Sequence, residues 1–360
     1  MSDNPKEAEE KMAKAIFISA DCWLCVFDLL PASQLGLGIS MISHRFNFYV
    51  GEHFKTRKWA LKSIRIGSKI GENGTKEMEI VNSTRKPMPI PQIQLPHKVI
   101  GFKWISIYFI DQNVIAFLHR FRPIFTASQI NLIIETDFDA YRISKCILHN
   151  IWPLLGKNIY TMDLSASFFE CLRQFVPSFL NDFPSLRFVK FQVVNLFTEF
   201  PADDSAMASD GQAVTKWLFT PLQNNVPKMF KCLLYMDAGT LASKIENIKT
   251  AFFNASSPVN FIVLISFMLA FSVSVVPFDH TNELTREQLT LKSIDNSDHF
   301  LLIRCPIARD ESKWTKWEEE ASGWQTFTFK LWNQIQFSII NEDEIGDGLL
   351  DATPSTSDQQ

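Results

Sequence analysis

Phe168-Phe-Glu-Cys-Leu-Arg-Gln-Phe-Val-Pro-Ser-Phe-Leu180, followed by Asn-Asp-Phe-Pro184-Ser-Leu186-Arg-Phe-Val-Lys-Phe191, decides the fold. Its first half spaces apolar residues as a helix does. Its second half ends in a short apolar run of strand length, and Pro184 stands between the two. The same order recurs around it. Val114 to Phe121 leads past Pro123 to Ile130–Ile134, and Tyr141 to Ile151 leads past Pro153 to Ile159–Leu164. Downstream, Gln212 to Phe219 leads past Pro227 to Phe230–Tyr235, and Leu241 to Phe253 leads past Pro258 to Val259–Ile265. The strands start at 130, 159, 186, 230 and 259, at intervals of 29, 27, 44 and 29 residues. The long interval holds an acidic, Ala/Ser-rich insertion with Glu199, Asp203, Asp204 and Asp210, which reads as a surface loop. A helix–strand unit repeated with parallel strands builds an open α/β solenoid or an ordinary doubly wound α/β sheet. The region is α/β, and the chain as a whole α+β.

The flanks have a different period. Ala60–Ile66 and Lys76–Val81 alternate apolar and polar residues around Gly71-Glu-Asn-Gly74, a hairpin pattern. Pro87, Pro89, Pro91 and Pro96 form an extended connector, and Val99–Ile110 reads as a strand. Val259 to Val276 has no charge and is about as long as the shortest membrane span. Its β-branched residues, Asn260 and three serines, and its lack of basic flanks or an aromatic belt, favour two buried strands. Beyond it, Phe300–Ile307 and Trp324–Ile340 read as strands around a charged helix, Asp310 to Ala321, with a turn at Trp332-Asn-Gln. This piece would close the end of a repeat array, whose last apolar face needs a cover.

Near the N-terminus stands Ile18-Ser-Ala-Asp-Cys-Trp-Leu-Cys-Val-Phe-Asp-Leu-Leu-Pro31. Trp23, Val26, Phe27 and Leu30 form one helical stripe, with Ser19 placed as N-cap and Pro31 as the stop. Ser33 is placed to cap a second helix, in which Leu35, Ile39, Ile42, Phe46, Tyr49 and Val50 repeat at helical spacing. Gly36 and Gly38 weaken it by roughly 1 kcal/mol each. Two such short helices need a further surface to bury their stripes.

This order of residue types resembles an F-box: an apolar opening at Ile18, helix positions at Leu24, Val26, Phe27 and Leu30-Pro31, the closing group Ile42-Ser43-His44-Arg45-Phe46, and a late Trp59. The usual opening proline is replaced by Ser19. The rest of the chain is similar in style to the C-terminal regions of the expanded nematode F-box families. Phe183-Pro-Ser-Leu-Arg-Phe-Val-Lys-Phe191 resembles the strand start of a leucine-rich repeat, although the full repeat signature is absent. The resemblance implies a substrate-recognition subunit of a Skp–cullin–F-box ubiquitin ligase. Ile18, Trp23, Leu24, Val26, Phe27, Leu30, Pro31 and Leu35 would fill the groove of the Skp-type adaptor. The C-terminal region would bind an unknown target protein, with its insertion Phe197–Asp210 as a candidate surface.

The implied organisation is a disordered start at 1–14, the F-box at 15–59 and a β-rich connector at 60–110. The α/β repeat region at 111–276, a β-rich cap at 277–340 and a disordered acidic tail at 341–360 follow. The tail holds six carboxylates and no Lys or Arg, so a net charge of −4 becomes +2 over residues 1–340. No basic block points to nucleic acid and no apolar leader to secretion. The six cysteines, at 22, 25, 146, 171, 232 and 305, show no framework spacing. They read as free thiols of a cytoplasmic or nuclear protein. Cys22-x-x-Cys25 has no second pair and no neighbouring His, so surface thiols of a helix are the favoured reading over a metal or redox site. The seven histidines form no metal-binding spacing, and there is no nucleophile elbow or phosphate loop. The sequence therefore predicts no enzyme, cofactor or metal. The alternative is an α/β enzyme with its site at the carboxyl ends of the strands.

Overall fold

A computed structural model of the chain describes residues 18–55, 59–71, 76–82, 87–88, 99–136, 140–267, 276–294, 299–323, 332–346 and 349. The chain opens with three helices, α1 (Ala20–Asp28), α2 (Ala32–Leu37) and α3 (His44–Phe54). β1 (Trp59–Ile70), β2 (Lys76–Asn82), β3 (Pro87–Met88) and β4 (Val99–Ile107) follow. The alternating region comprises α4 (Gln112–Ala127), β5 (Ile130–Glu135), α5 (Ala140–Cys146), α6 (Trp152–Leu155), β6 (Ile159–Leu164), α7 (Ala166–Phe175) and β7 (Phe188–Val194). It continues through α8 (Asp210–Leu218), β8 (Lys228–Leu234), α9 (Ala238–Phe253) and β9 (Phe261–Phe267). The C-terminal part holds β10 (Phe278–Asn282), β11 (Glu287–Ser293), β12 (His299–Pro306), α10 (Glu311–Gly323) and β13 (Gln334–Ser338).

All the described strands join one open mixed sheet in the order β10-β11-β12-β9-β8-β7-β6-β5-β13-β4-β1-β2-β3. From β1 across to β9 every neighbouring pair is parallel, while antiparallel pairs close both edges. Strands β5 to β9 stand in chain order. No reversal occurs among them of the kind that divides a doubly wound sheet into halves.

Alternation along the strands sorts side chains onto two faces. Leu132, Met162, Val189, Phe230 and Val263 join the buried residues of α4, α7, α8 and α9 in one continuous core. Phe188, Met229, Ile262 and Leu264 face the other way and are covered, with Leu301 and Ile303, by Trp314 and Ala321 of α10. The second face changes character toward β5 and β13. There Asn131, Thr161, Asp163, Lys190 and Gln336 replace the aliphatic residues, tied by bonds such as Thr161 to Asn131 (2.5 Å) and Lys190 to Asp163 (2.6 Å).

The repeated helices start where the sequence supplies caps. Asp111, Ser165, Ser209 and Asp237 each accept a backbone N–H of their helix, and Ser209 and Gln212 form a reciprocal capping box. Each such cap contributes about 1 kcal/mol. Two prolines act differently from the simple break that their positions predict. α4 runs through Pro123 to Ala127, because Phe121, Ile124 and Phe125 are buried against the sheet. Burying each of them stabilises by about 1.5–3 kcal/mol, enough together to offset roughly 3 kcal/mol for an internal proline. Before Pro153 the helix widens into one π turn over Ile147–Ile151, which accommodates the missing N–H.

Four further expectations are corrected. The second N-terminal helix is not continuous: it breaks at Gly38, passes a 3₁₀ turn at Ile39–Met41, and restarts as α3 on Ser43, whose side chain accepts the Phe46 N–H. Pro31, not Ser33, occupies the N-cap of α2. The C-terminal part is not only a cover for the end of the array. β10 to β12 do extend the sheet past β9, but β13 returns to its middle between β4 and β5. Asn333 fixes this insertion, accepting the Phe102 N–H on its Oδ1 (2.9 Å), donating its own N–H to the Phe102 carbonyl (2.7 Å) and reaching the Gln129 carbonyl. A Cβ at Gly101 would lie 2.7 Å from that Oδ1, which explains the glycine.

The tail expected to be disordered from 341 onward begins as ordered chain. Ile345 bridges to Ile110, Asp343 pairs with Lys76 (2.6 Å), and Leu349 is buried. The expected disorder at 1–14 and at 351–360, the connector beyond Met88, and the second half of the apolar run at 268–275 lie outside the described residues. The first half of that run is β9, with six of its seven residues buried. No helix among the described residues is long and apolar enough to cross a membrane.

Candidate docking site

The three N-terminal helices pack on the β1–β4 end of the sheet. Leu35 is fully buried, and a Cβ at Gly36 would lie 3.4 Å from Leu61 and 3.8 Å from Val99. On α1 the inward stripe is Trp23, Leu24 and Phe27, continued just past its end by Leu30. Phe27 is fully buried, its ring 6.3 Å from Trp23 and 5.9 Å from His53 of α3, and Trp23 meets Phe46 edge-on at 5.0 Å. Ser19 caps α1 as the sequence predicts, its hydroxyl accepting the Cys22 N–H at 3.4 Å.

The expected adaptor contacts therefore divide. Phe27 and Leu35 belong to the chain's own core, and Trp23, Leu24 and Leu30 pack partly against it, so these five shape the helices from within. Ile18, Val26 and Pro31 face outward. Outward too are apolar residues absent from the expected contacts: Leu29 at 84 % exposure, Ile42 at 67 % and Phe48 at 62 %. Burying an amphipathic helix fixes which of its apolar residues are left over, and Leu29 is readable as one because it falls off the Trp23–Phe27–Leu30 stripe.

The acidic insertion has its own geometry. Phe197 and Thr198 are buried, and beyond them the loop walls an open cleft of about 470 Å³ lined by Glu170, Arg173, Glu199, Ser209 and Asp210. Arg173 pins the loop through Asp210 (2.7 Å) and the carbonyls of Ser205 and Ala208. The Ser209 hydroxyl and then Lys244 hold the Glu199 carboxyl below its usual range, against the opposing effect of partial burial. Elsewhere Lys228, 4 % exposed, donates to the Trp217 carbonyl (2.5 Å) with its amine 4.9 Å from the Trp217 ring centroid, and burial pushes that amine down to about 7. Cys146 and Cys305 are buried, and burial raises both thiols to about 11. Among the described residues no three His, Cys, Asp or Glu stand together as a metal site. Compared with known protein families, curated proteins and solved structures, the chain matches none.

Proposed function

We propose that the chain is a substrate-recognition subunit of a Skp–cullin–F-box ubiquitin ligase. In this reading α1 to α3 dock the Skp-type adaptor, and the sheet with its helices presents a target protein. The observation that carries the reading is the outward apolar surface of α1 and its C-cap, with Val26 at 42 % and Leu29 at 84 % exposure on a helix whose other stripe is already buried. A few such anchors set the affinity of a helix-mediated interface. The sheet order from β5 to β9 fits an open, repeat-like scaffold of the leucine-rich-repeat kind. On the target side, the cleft beside the insertion, lined by Glu170, Arg173, Glu199 and Asp210, is the candidate surface for a target segment.

The test is co-purification of the full chain with a Skp-type adaptor and cullin. Deleting the helices would uncover Leu61 and Val99, so point substitutions at exposed sites are the informative variants. Wild type should capture both ligase subunits, and Val26→Glu with Leu29→Glu should lose them while folding normally. Equal capture by both proteins, or by neither, sinks the proposal.

A further inference from the structure

The outward stripe of α1 is not purely apolar. Cys22 and Cys25 are both exposed free thiols, and they lie on the face that carries Val26 and Leu29. Cys22 is four residues before Val26, Cys25 four before Leu29, and the two cysteines are three apart, so the four side chains form one patch. Of the other cysteines, Cys146, Cys232 and Cys305 are buried, and burial raises their thiols, while Cys171 is half-buried.

The geometry points to Cys22 and Cys25 as a reversible thiol-modification site, a dithiol that a low-molecular-weight disulfide oxidises to a Cys22–Cys25 bridge within the docking stripe. Cys22 is the attacking sulfur. It is the more N-terminal of the pair, and the Ser19 hydroxyl donates to its Sγ at 3.3 Å. The Cys22 thiolate attacks one sulfur of the oxidant, forming a mixed disulfide and releasing one thiolate, which takes up the proton that Cys22 lost. Cys25, as thiolate, then attacks the Cys22 sulfur and releases the second small thiol. Two electrons pass from the cysteine pair to the oxidant, and excess small thiol reverses both steps.

Residues three apart on a helix hold their Cβ atoms about 5–6 Å apart, whereas a disulfide needs roughly 3.5–4.5 Å. The turn from Cys22 to Cys25 must therefore tighten by about 1–2 Å, against the Ser19 cap on the Cys22 N–H and the Trp23 N–H bond to the Ser19 carbonyl. The bridge is strained, hence easily reduced, as a switch requires. It also redraws the surface that Val26 and Leu29 present. This consequence rests on the docking role proposed above.

The experiment exposes the full chain to glutathione buffers of graded oxidised-to-reduced ratio, quenches with acid and maps peptides by mass. Wild type should gain a Cys22–Cys25 bridge that excess reduced glutathione removes, with Cys146, Cys232 and Cys305 still thiols. Cys25→Ser should retain glutathione on Cys22. Two unmodified thiols, or a mixed disulfide on Cys22 that Cys25 never resolves, overturn the proposal. Adaptor binding of wild type should fall at least about tenfold on oxidation and recover on reduction. Cys22→Ser/Cys25→Ser should not respond to oxidant at all. Oxidised wild type that binds like reduced wild type overturns the switch. If reduced wild type binds no adaptor, the docking reading fails, while the mass map still reads the thiol chemistry.

Discussion

Arg304 is the buried charge on which the C-terminal end of the sheet depends. It is 1 % exposed and pairs with Glu287, equally buried, at 2.6 Å. The Phe219 and Phe252 rings lie 5.6 and 5.3 Å from its guanidinium. Glu287 in turn accepts the Val259 N–H at 2.6 Å, tying β11 to the chain that leads into β9. Arg304→Met removes the cation and leaves the carboxylate buried with that one N–H. Breaking such a pair costs about 3–5 kcal/mol, or roughly 4–7 °C in Tm for a chain this long. Arg304→Met with Glu287→Gln removes both charges and keeps an acceptor for Val259, and should recover at least about 2 kcal/mol of that loss. Urea unfolding followed by circular dichroism measures both. If the single variant lies within about 1 kcal/mol of wild type, or the double variant is no more stable than the single, the pair does not hold β11 and β12 as argued.

Further outcomes follow from other groups. Lys228 titrates near 7 when folded and near 10.4 when unfolded, so between those values the unfolded chain holds the extra proton and stability rises with pH. Relative to Lys228→Met, wild type should be roughly 3 kcal/mol more stable at pH 9.5 than at pH 6.5, measured by urea midpoints, and a flat difference would contradict the burial. Asn333→Ala should cost about 2–4 kcal/mol by orphaning the Phe102 N–H and freeing the start of β13, with hydrogen exchange rising first in β13 and β4. Ser209→Ala should cost about 1 kcal/mol and release Glu199, raising the carboxyl's titration point in an NMR pH series.

The alternating region was legible because each unit declares itself locally. The strand read at Ile159–Leu164 is observed at those residues, and the helices read from 212 and 241 are present as α8 and α9. What escaped the reading depends on partners far along the chain. The insertion of β13 rests on Asn333 meeting Phe102 across 231 residues, and the continuation of α4 through Pro123 rests on the sheet beneath Phe121 and Phe125. The hairpin of β10 and β11 carries short polar alternation, as in Phe278-Asp-His-Thr-Asn282, weak beside the apolar runs around it. At the candidate site, periodicity found the stripe of α1 that faces the core, and the F-box resemblance assigned it to the partner. Which stripe is free became clear only once α3 and β1 had taken Phe27 and Leu35.

The central claim concerns the surface that remains. Isothermal titration of the reduced 360-residue chain with a Skp-type adaptor, for wild type and Leu29→Glu, tests it most directly. Leu29 is exposed, so its replacement should leave the urea midpoint unchanged. The account predicts saturable binding by wild type and a loss of at least about tenfold in Leu29→Glu. No heat of binding with wild type, or equal affinity for the two proteins, would contradict it.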